Sequence, residues 1–237
     1  MPSTVADKKE ATKLDKLFEA GAHFGFVKAR RHPSVKPFLF GSKNGMDIFD
    51  LEKTNLELEK AIAFIEEQGK LGHLGLWVGG KSEARAAILK AGEDLDMPHV
   101  KGRWIGGTIS NFAEIKKRIA RLEELVGQRE RGELGKYTKK ERLLFDREID
   151  KLTLYFAGLS KMKALPKFMV IVDPKKEHIA LMEARKANIP VVGLSGSDTN
   201  IFEFDYAIPG NDSSRQNISF VIGELVNAYK KGKETIK

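Results

Sequence analysis

Short apolar runs that alternate with helical patterns constrain this chain more than any other feature. Residues 74–78, 168–172 and 189–194 are almost continuously apolar, and shorter strand patterns lie at 99–100 and 206–208. Strands that are apolar on both faces are typical of a parallel sheet covered by helices. With right-handed crossovers, the pattern predicts an α/β fold with a doubly wound, flavodoxin-like parallel sheet of about five strands.

The stretch 106–159 has no strand pattern and instead predicts two helices. Apolar residues recur there at alternating spacings of three and four, which is typical of a coiled-coil seam. They are Phe112, Ile115, Ile119, Leu122 and Val126 in the first helix, and Phe145, Ile149, Leu152 and Phe156 in the second. Because each helix has one apolar stripe, we expect the stripes to bury only against each other, in an antiparallel hairpin that protrudes from the core.

Residues 103–112 are the predicted joint between core and hairpin. Gly106 and Gly107 permit a sharp reversal of the chain. Trp104 is expected to pack there and fix the angle of the hairpin, and Asn111 is among the polar residues that can cap its first helix.

Four parts of the chain follow from these patterns. The α/β core is predicted to span 14–105 and 160–230, and the hairpin to span 106–159. Residues 1–13 are small, polar and charged, which is typical of a flexible tail. Residues 231–237 are expected to form a basic C-terminal tail.

The charge balance bears on the partners of the protein. Lys and Arg number 41 against 33 Asp and Glu, giving a net charge of +8. This excess favours a polyanionic partner such as nucleic acid, although a solvated surface rich in lysine is the alternative. The chain has no cysteine, which excludes disulfides and thiolate metal sites. It also lacks a signal-peptide pattern and an apolar run of roughly 20 residues, so we expect a soluble, cytosolic protein.

Residues 20–46 contain five Lys or Arg and no Asp or Glu. Pro33 and Pro37 break helices, so the basic residues are expected on a loop with a short strand, where they can meet phosphates. Phenylalanines are interleaved with them and could stack on bases. For Phe38 and Phe40 we favour the other interpretation, burial in the core.

Cations also cluster near the predicted base of the hairpin. Lys116, Lys117, Arg118 and Arg121 lie close together, with Glu114 as the nearby acid. Charged helix faces are usually only solvated, but this imbalance favours contact with RNA phosphates. A hairpin of this kind could also serve as a scaffold for a protein partner.

Evidence for catalysis is weak. Gly79-Gly80-Lys81-Ser82 follows a strand, and Asp173 ends another, which raises the alternative of a nucleotide-binding enzyme. The glycine spacing fits neither phosphate-loop motif, so an ordinary turn is favoured, with Asp173 capping the next helix. The five histidines lie far apart. We therefore predict no catalytic residue, no metal site and no cofactor.

Six segments form a longer and more specific pattern. They are EAGAHFG (19–25), KPFLFGSKNGMDIFDLEKT (36–54), RWIGGTISNF (103–112), LPKFMVIVDP (165–174), ANIPVVGL (187–194) and DYAIPGND (205–212). In these segments the chain resembles the bacterial and organellar type of the small ribosomal subunit protein two family. The resemblance runs from about residue 14 to 229.

The resemblance implies a non-catalytic structural constituent of the small ribosomal subunit that supports translation in the cytoplasm. Its implied partners are small-subunit ribosomal RNA, other small-subunit proteins and the large ribosomal protein S-one, with no membrane and no small-molecule substrate. The chain departs from the family at Phe26, where the family has His, and at Arg31-His32, where it has Trp-Asn. A cation at Arg31 favours phosphate contact over stacking. The predicted RNA-binding residues are Lys28, Arg30, Arg31, His32, Lys36, Lys43, Arg103, Lys116, Lys117 and Arg121.

Overall fold

A computed structural model describes residues 12–235, and this part of the chain has eight strands and seven α-helices. The strands are β1 (Phe24–Val27), β2 (Leu39–Lys43), β3 (Met46–Phe49), β4 (Gly75–Val78), β5 (His99–Val100), β6 (Phe168–Val172), β7 (Val191–Ser195) and β8 (Tyr206–Pro209). The helices are α1 (Lys13–Glu19), α2 (Leu51–Lys70), α3 (Arg85–Asp94), α4 (Phe112–Glu130), α5 (Lys139–Phe156), α6 (His178–Lys186) and α7 (Arg215–Glu234).

Five strands form the predicted parallel sheet, in the order β5-β4-β6-β7-β8. This is the flavodoxin-like order, in which the chain first moves to one side of β4 and then crosses to the other. Trp77 of β4, for example, lies opposite His99 of β5 on one side and Val170 of β6 on the other. The predicted α/β class and doubly wound parallel sheet are therefore confirmed.

Alternate residues of the sheet belong to two separate hydrophobic clusters, because successive side chains of a strand point to opposite faces. Trp77 and Phe168 belong to a cluster formed with α2, α3 and α7. Leu76 and Met169 belong to a second cluster, which includes residues of α4, α5 and α6. Both faces of the sheet are thus covered, which explains why β6 and β7 are apolar almost throughout.

The second cluster also holds the apolar stripes of α4 and α5. Ile119 and Ile149 are buried there together with Leu76 and Met169 of the sheet. The stripes therefore belong to the same apolar cluster as one face of the sheet. That they bury only against each other, and that the helices protrude as a hairpin, stay predictions.

β1, β3 and β2 form a separate antiparallel sheet. The predicted turn between β2 and β3 is confirmed, since Asn44 and Gly45 have φ angles of 52° and 76°, as a two-residue hairpin turn with positive φ requires. Strand β1 had no prediction, because the four residues Phe24–Val27 are too few to give a strand pattern.

The predicted burial of Phe40 is wrong. Its side chain, on the edge strand β2, is 83% exposed, because side chains of a strand alternate between the two faces of a sheet and this one faces outward. Phe38 and Leu39 instead pack against a small cluster of Val35, Phe49 and Ile201. An exposed phenylalanine therefore lies among the cations of residues 28–43, which we call the basic segment.

The two predicted tails lie partly outside the described residues. Of the segment 1–13, the structure describes only Thr12 and Lys13, and there Thr12 accepts the Asp15 amide in a capping box that begins α1. At the other end α7 continues to Glu234, and Lys231 Nζ lies 3.1 Å from Glu66 Oε2. Part of the predicted C-terminal tail is thus helical.

Candidate nucleic-acid interface

The basic segment, which runs from the end of β1 to the end of β2, exposes four cations. Lys28 and Arg30 lie in one 3-10 turn, Lys36 lies in a second, and Lys43 ends β2. All four side chains are exposed, and no carboxylate of residues 12–235 lies within ion-pair distance of them. An exposed cation without a carboxylate partner retains its full charge for a polyanion.

Hydrogen bonds to the loop after β7 hold this basic segment. The amide of Phe26 donates to Ser197 Oγ at 2.8 Å, and the amide of His32 donates to Ser197 O at 2.9 Å. Ser197 is buried. The cations therefore project from a segment whose backbone is tied to the parallel sheet.

Arg31 differs from the other cations of this segment, because it is paired. Its Nε lies 2.8 Å from Asp47 Oδ2, and its Nη2 contacts the other carboxylate oxygen and Ser42 Oγ. The Asp47 side chain is fully buried, and the hydrogen bonds from Arg31 hold the pKa of this carboxyl below its ordinary value. Asp47 stands one position beyond the acid-free stretch 20–46, so the sequence count missed it.

His32 has a local structural contact. Its Nδ1 accepts the amide of Ser34 at 3.2 Å and lies 2.7 Å from Ser34 Oγ, which caps the 3-10 turn Pro33–Phe38. Ser34 Oγ in turn accepts the amide of Ile201 at 3.1 Å. One ring nitrogen of His32 thus helps to shape the loop.

The predicted cations of α4, like those of the basic segment, differ in whether carboxylates pair with them. Lys116 is exposed and lies 5.3 Å above the Phe112 ring. Lys117 pairs with Glu114 at 2.6 Å on the exposed surface. Arg121 lies between two acids, with Nη1 2.9 Å from Glu124 and Nε 3.4 Å from Glu148. Lys116 is therefore the least compensated of the three.

The joint is anchored by a residue that the sequence analysis did not single out. Glu183 of α6 is buried, and its carboxylate accepts the backbone amides of Gly107 at 2.7 Å, Ile109 at 2.9 Å and Ser110 at 3.2 Å. Trp104 Nε1 also donates to it, at 3.4 Å. Burial alone would raise the pKa of Glu183, but the backbone hydrogen bonds hold it below its ordinary value.

The predicted joint residues have different roles. Trp104 is buried, 5% exposed. Gly107 has a φ of +92°, where side chains other than hydrogen are disfavoured, whereas Gly106 has no such angle. Asn111 occupies the N-cap position of α4, but its side chain makes no capping hydrogen bond. Arg103 is exposed beside Trp104, with no carboxylate of the described chain in ion-pair range.

The residues behind the nucleotide-binding alternative bind one another. Lys81 Nζ lies 3.1 Å from Asp173 Oδ2, 3.5 Å from Asp212 Oδ1 and 3.0 Å from Ser213 Oγ. Burial and the neighbouring Asp173 raise the pKa of Asp212 to about 6. Asp173 also accepts the Lys176 amide at 3.2 Å, within the turn before α6. Lys81 is thus held by carboxylates and is not available to a phosphate.

Within residues 12–235, no three or more His, Asp or Glu side chains converge in a group that could hold a metal ion. None of the helices there combines the length and the apolar character that crossing a bilayer requires.

Comparison with known proteins identifies the family. Residues 17–232 match the family model described as ribosomal protein S2. The small ribosomal subunit protein uS2 of Coprothermobacter proteolyticus is 38% identical over 221 residues, which cover 93% of this chain and 82% of that protein. The uS2 proteins of Chloroflexus aurantiacus and Chloroflexus aggregans are each 38% identical over 219 residues, covering 92% of both chains. The chain therefore belongs to the ribosomal protein S2 family.

Proposed function

We propose that this protein is a non-catalytic structural component of the small ribosomal subunit, where it binds small-subunit ribosomal RNA and supports translation in the cytoplasm. The observation that carries the proposal is the set of exposed cations without carboxylate partners on the basic segment, in a chain of this family. A nucleotide-binding enzyme has no support, because Lys81 is held by Asp173 and Asp212.

Lys28, Arg30, Lys36 and Lys43 form the first part of the proposed RNA interface. They are exposed on two 3-10 turns and the end of β2, so a phosphate can approach each of them without breaking an ion pair. We assign Arg31 and His32 to the same interface, chiefly as residues that shape it. Their contacts with Asp47 and Ser34 keep the loop in the conformation that presents the four cations.

The joint and the start of α4 form the second part. Arg103 and Lys116 are its exposed cations, and Lys117 and Arg121 add charge that nearby glutamates partly offset. Exposed ion pairs of this type are weak, worth about 0.2–1 kcal/mol each, so RNA phosphates can compete for these cations. We propose that α4 and α5 stand away from the core as an antiparallel hairpin aimed by the joint.

Salt dependence of RNA binding tests this function. The affinity of the full chain for small-subunit ribosomal RNA is measured against salt concentration, for the natural sequence and for a variant with Lys28, Arg30, Lys36 and Lys43 each changed to Gln. The variant should lose roughly 3 units from the slope of log affinity against log salt, since each phosphate contact contributes about 0.7–0.9.

The control changes four exposed cations elsewhere, Lys90, Lys167, Arg185 and Lys186, to Gln. These lie on α3, before β6 and at the end of α6, and have the same total charge. The control should retain most of the slope. Equal losses in both variants would mean that only net charge attracts the RNA, and an unchanged slope in the first variant would overturn the proposed interface.

Other small-subunit proteins, among them ribosomal protein S-one, are proposed as neighbours on the basis of family membership. The outward face of α5 offers a surface for such a neighbour, since Leu143, Leu144 and Leu154 are 51%, 54% and 68% exposed. Deletion of residues 128–136, which form the last residues of α4 and most of the loop before α5, should reduce capture of a protein partner while RNA affinity is retained. Loss of RNA affinity alone would contradict a protein-binding role for this end.

A further inference from the structure

A crevice lies where the order of the parallel strands reverses, between the carboxyl ends of β4 and β6. Its volume is about 310 Å³. The loop after β4 contributes Gly80, the loop after β5 contributes Gly102 and Arg103, and the loop after β6 contributes Lys176. Ligands of doubly wound folds bind at this position, because loops from both directions of the chain diverge there. The crevice is separate from the basic segment 28–43.

Three cations surround this crevice. Arg85, Arg103 and Lys176 line it and are exposed, and no carboxylate within residues 12–235 is in ion-pair range of any of them. Arg85 Nε donates to the Gly80 carbonyl at 3.4 Å, which holds the guanidinium at the rim. The positive charge here is therefore gathered from three separate elements of the fold.

The crevice contains one acid, Glu177, which is buried. Its Oε1 accepts the amide of Gly80 at 3.2 Å, so the carboxyl holds the loop after β4 in place. Burial raises the pKa of Glu177 above its ordinary value, which means that its negative charge is disfavoured at this site. Three cations against one buried acid leave the crevice positive.

The two glycines give the crevice its shape. A Cβ on Gly80 would lie 2.4 Å from the carbonyl oxygen of Gly102, so only glycine allows the two loops to approach this closely. A Cβ on Gly102 would meet nothing closer than the Leu154 carbonyl at 4.0 Å. A Cβ can therefore be added at Gly102, which lines the crevice, without a clash.

We propose that this crevice seats one phosphate group of the RNA backbone, bound by Arg85, Arg103 and Lys176. The inference rests on the proposed function, since it adds a phosphate site that shares Arg103 with the second part of the RNA interface. Its volume is at the low end for ligand sites, which run from about 300 to 1,000 Å³. Lys81, the cation that would serve a nucleotide from the glycine loop, is occupied by Asp173 and Asp212. A single backbone phosphate is consistent with the small volume of the crevice and does not require Lys81.

Charge introduced at Gly102 tests the proposal directly. Gly102→Asp adds a carboxylate at a residue that lines the crevice, and Gly102→Asn adds a neutral side chain of the same size there. The aspartate variant should bind small-subunit ribosomal RNA at least roughly tenfold more weakly than the asparagine variant, because like charges a few ångströms apart repel strongly. Gly223→Asp on α7, whose added Cβ meets nothing within 4 Å, controls for the change in net charge.

A second pair of variants measures the contact itself. Arg85→Gln should lower the salt slope of RNA binding by about 0.7–0.9, whereas Lys90→Gln, on the same helix but outside the crevice, should leave it unchanged. Thermal melts check that each variant folds. Equal affinities for Gly102→Asp and Gly102→Asn, with Arg85→Gln at the natural slope, would overturn the crevice.

The same experiment separates this proposal from the proposed function. If the four-residue variant of the basic segment loses RNA affinity while the crevice variants do not, the RNA interface stands and the crevice proposal fails. In a further arm, inorganic phosphate and a mononucleotide are titrated without RNA. Saturable, submillimolar binding of the mononucleotide that Arg85→Gln abolishes, with RNA affinity unchanged, would assign the crevice to a small ligand and overturn the RNA assignment.

Discussion

The Glu183 carboxylate accepts the backbone amide of Gly107 at 2.7 Å, across 76 positions of sequence. Through this contact helix α6 holds the loop that leads into α4, and Ile109 and Ser110 donate to the same side chain. The joint is thus fixed to the core by a buried carboxylate rather than by apolar packing alone.

Glu183→Gln should lower the free energy of unfolding by about 1–3 kcal/mol, because hydrogen bonds to a buried charged acceptor are stronger than those to an amide. Urea unfolding at pH 7 measures the loss. Arg185→Gln, an exposed neighbour on the same helix, is the control and should change stability by less than about 0.5 kcal/mol.

Stability should also depend on pH through Glu183. Because its pKa in the folded protein is below the ordinary value of 4.5, its contribution is complete above that pH and disappears as the pH falls through the lower, folded pKa. The difference between the natural protein and Glu183→Gln should therefore shrink on acidification below about pH 4.5. A difference that is constant from pH 7 to pH 3 would contradict the assignment.

The two glycines of the joint should respond differently to alanine. Gly107→Ala forces a side chain into a φ of +92° and should cost about 1–2 kcal/mol. Gly106→Ala should be nearly neutral, since its Cβ would meet its nearest neighbours at 3.9 and 4.0 Å. Thermal melts of the two variants compare them, and similar losses at both positions would show that the backbone angle is not the cause.

Sequence reasoning predicted the sheet well because its signal is local. The continuous apolar runs of β6 and β7 can be buried only within a covered parallel sheet. The role of Glu183 could not be found in this way. In α6 the apolar residues Ile179 and Met182 are 56% and 38% exposed, whereas the charged residue Glu183 is 7% exposed. A buried carboxylate whose partners are backbone amides far along the chain leaves no pattern in the sequence.

For the predicted cations, too, the sequence indicated local exposure but not contacts with residues far along the chain. Exposure of Lys28 and Lys43 follows from their loop and turn positions, so composition was a fair guide. The pairing of Arg31 was not foreseen, because its partner Asp47 lies 16 positions along the chain on β3. Arg31 follows the 3-10 turn after β1, and β1 pairs with β3, but the sequence did not predict β1. Charge counts along the chain cannot detect a pair that only the fold brings together.

Arg31→Ala should therefore impair folding as well as any RNA contact. It leaves the fully buried Asp47 carboxylate without its cation, which should cost about 3 kcal/mol. Lys28→Ala, which removes an exposed cation from the adjacent turn, should change stability by less than about 0.5 kcal/mol. Urea unfolding of both variants distinguishes the roles. Equal stability of the two would mean that the Arg31–Asp47 pair contributes nothing to the fold.

Asp212 should have the opposite pH dependence from Glu183. Its pKa is raised to about 6 in the folded protein, from an ordinary value of 3.8, so the fold binds a proton that the unfolded chain has released. Stability should then fall as the pH rises from about 4 to 6. Asp212→Asn removes this fall, and its stability relative to the natural protein should increase by about 1–3 kcal/mol between pH 4 and 7. Asp146→Asn, which removes an exposed carboxyl on α5, is the control and should leave this fall in place.

Co-sedimentation with small ribosomal subunits tests the central claim most directly. The tagged full-length chain is expressed beside its variant with Lys28, Arg30, Lys36 and Lys43 changed to Gln, and extracts are run on a gradient at low and at moderate salt. The natural chain should be found in the small-subunit fraction at both, and the variant should be released at moderate salt. A natural chain that stays at the top of the gradient even at low salt would contradict the account.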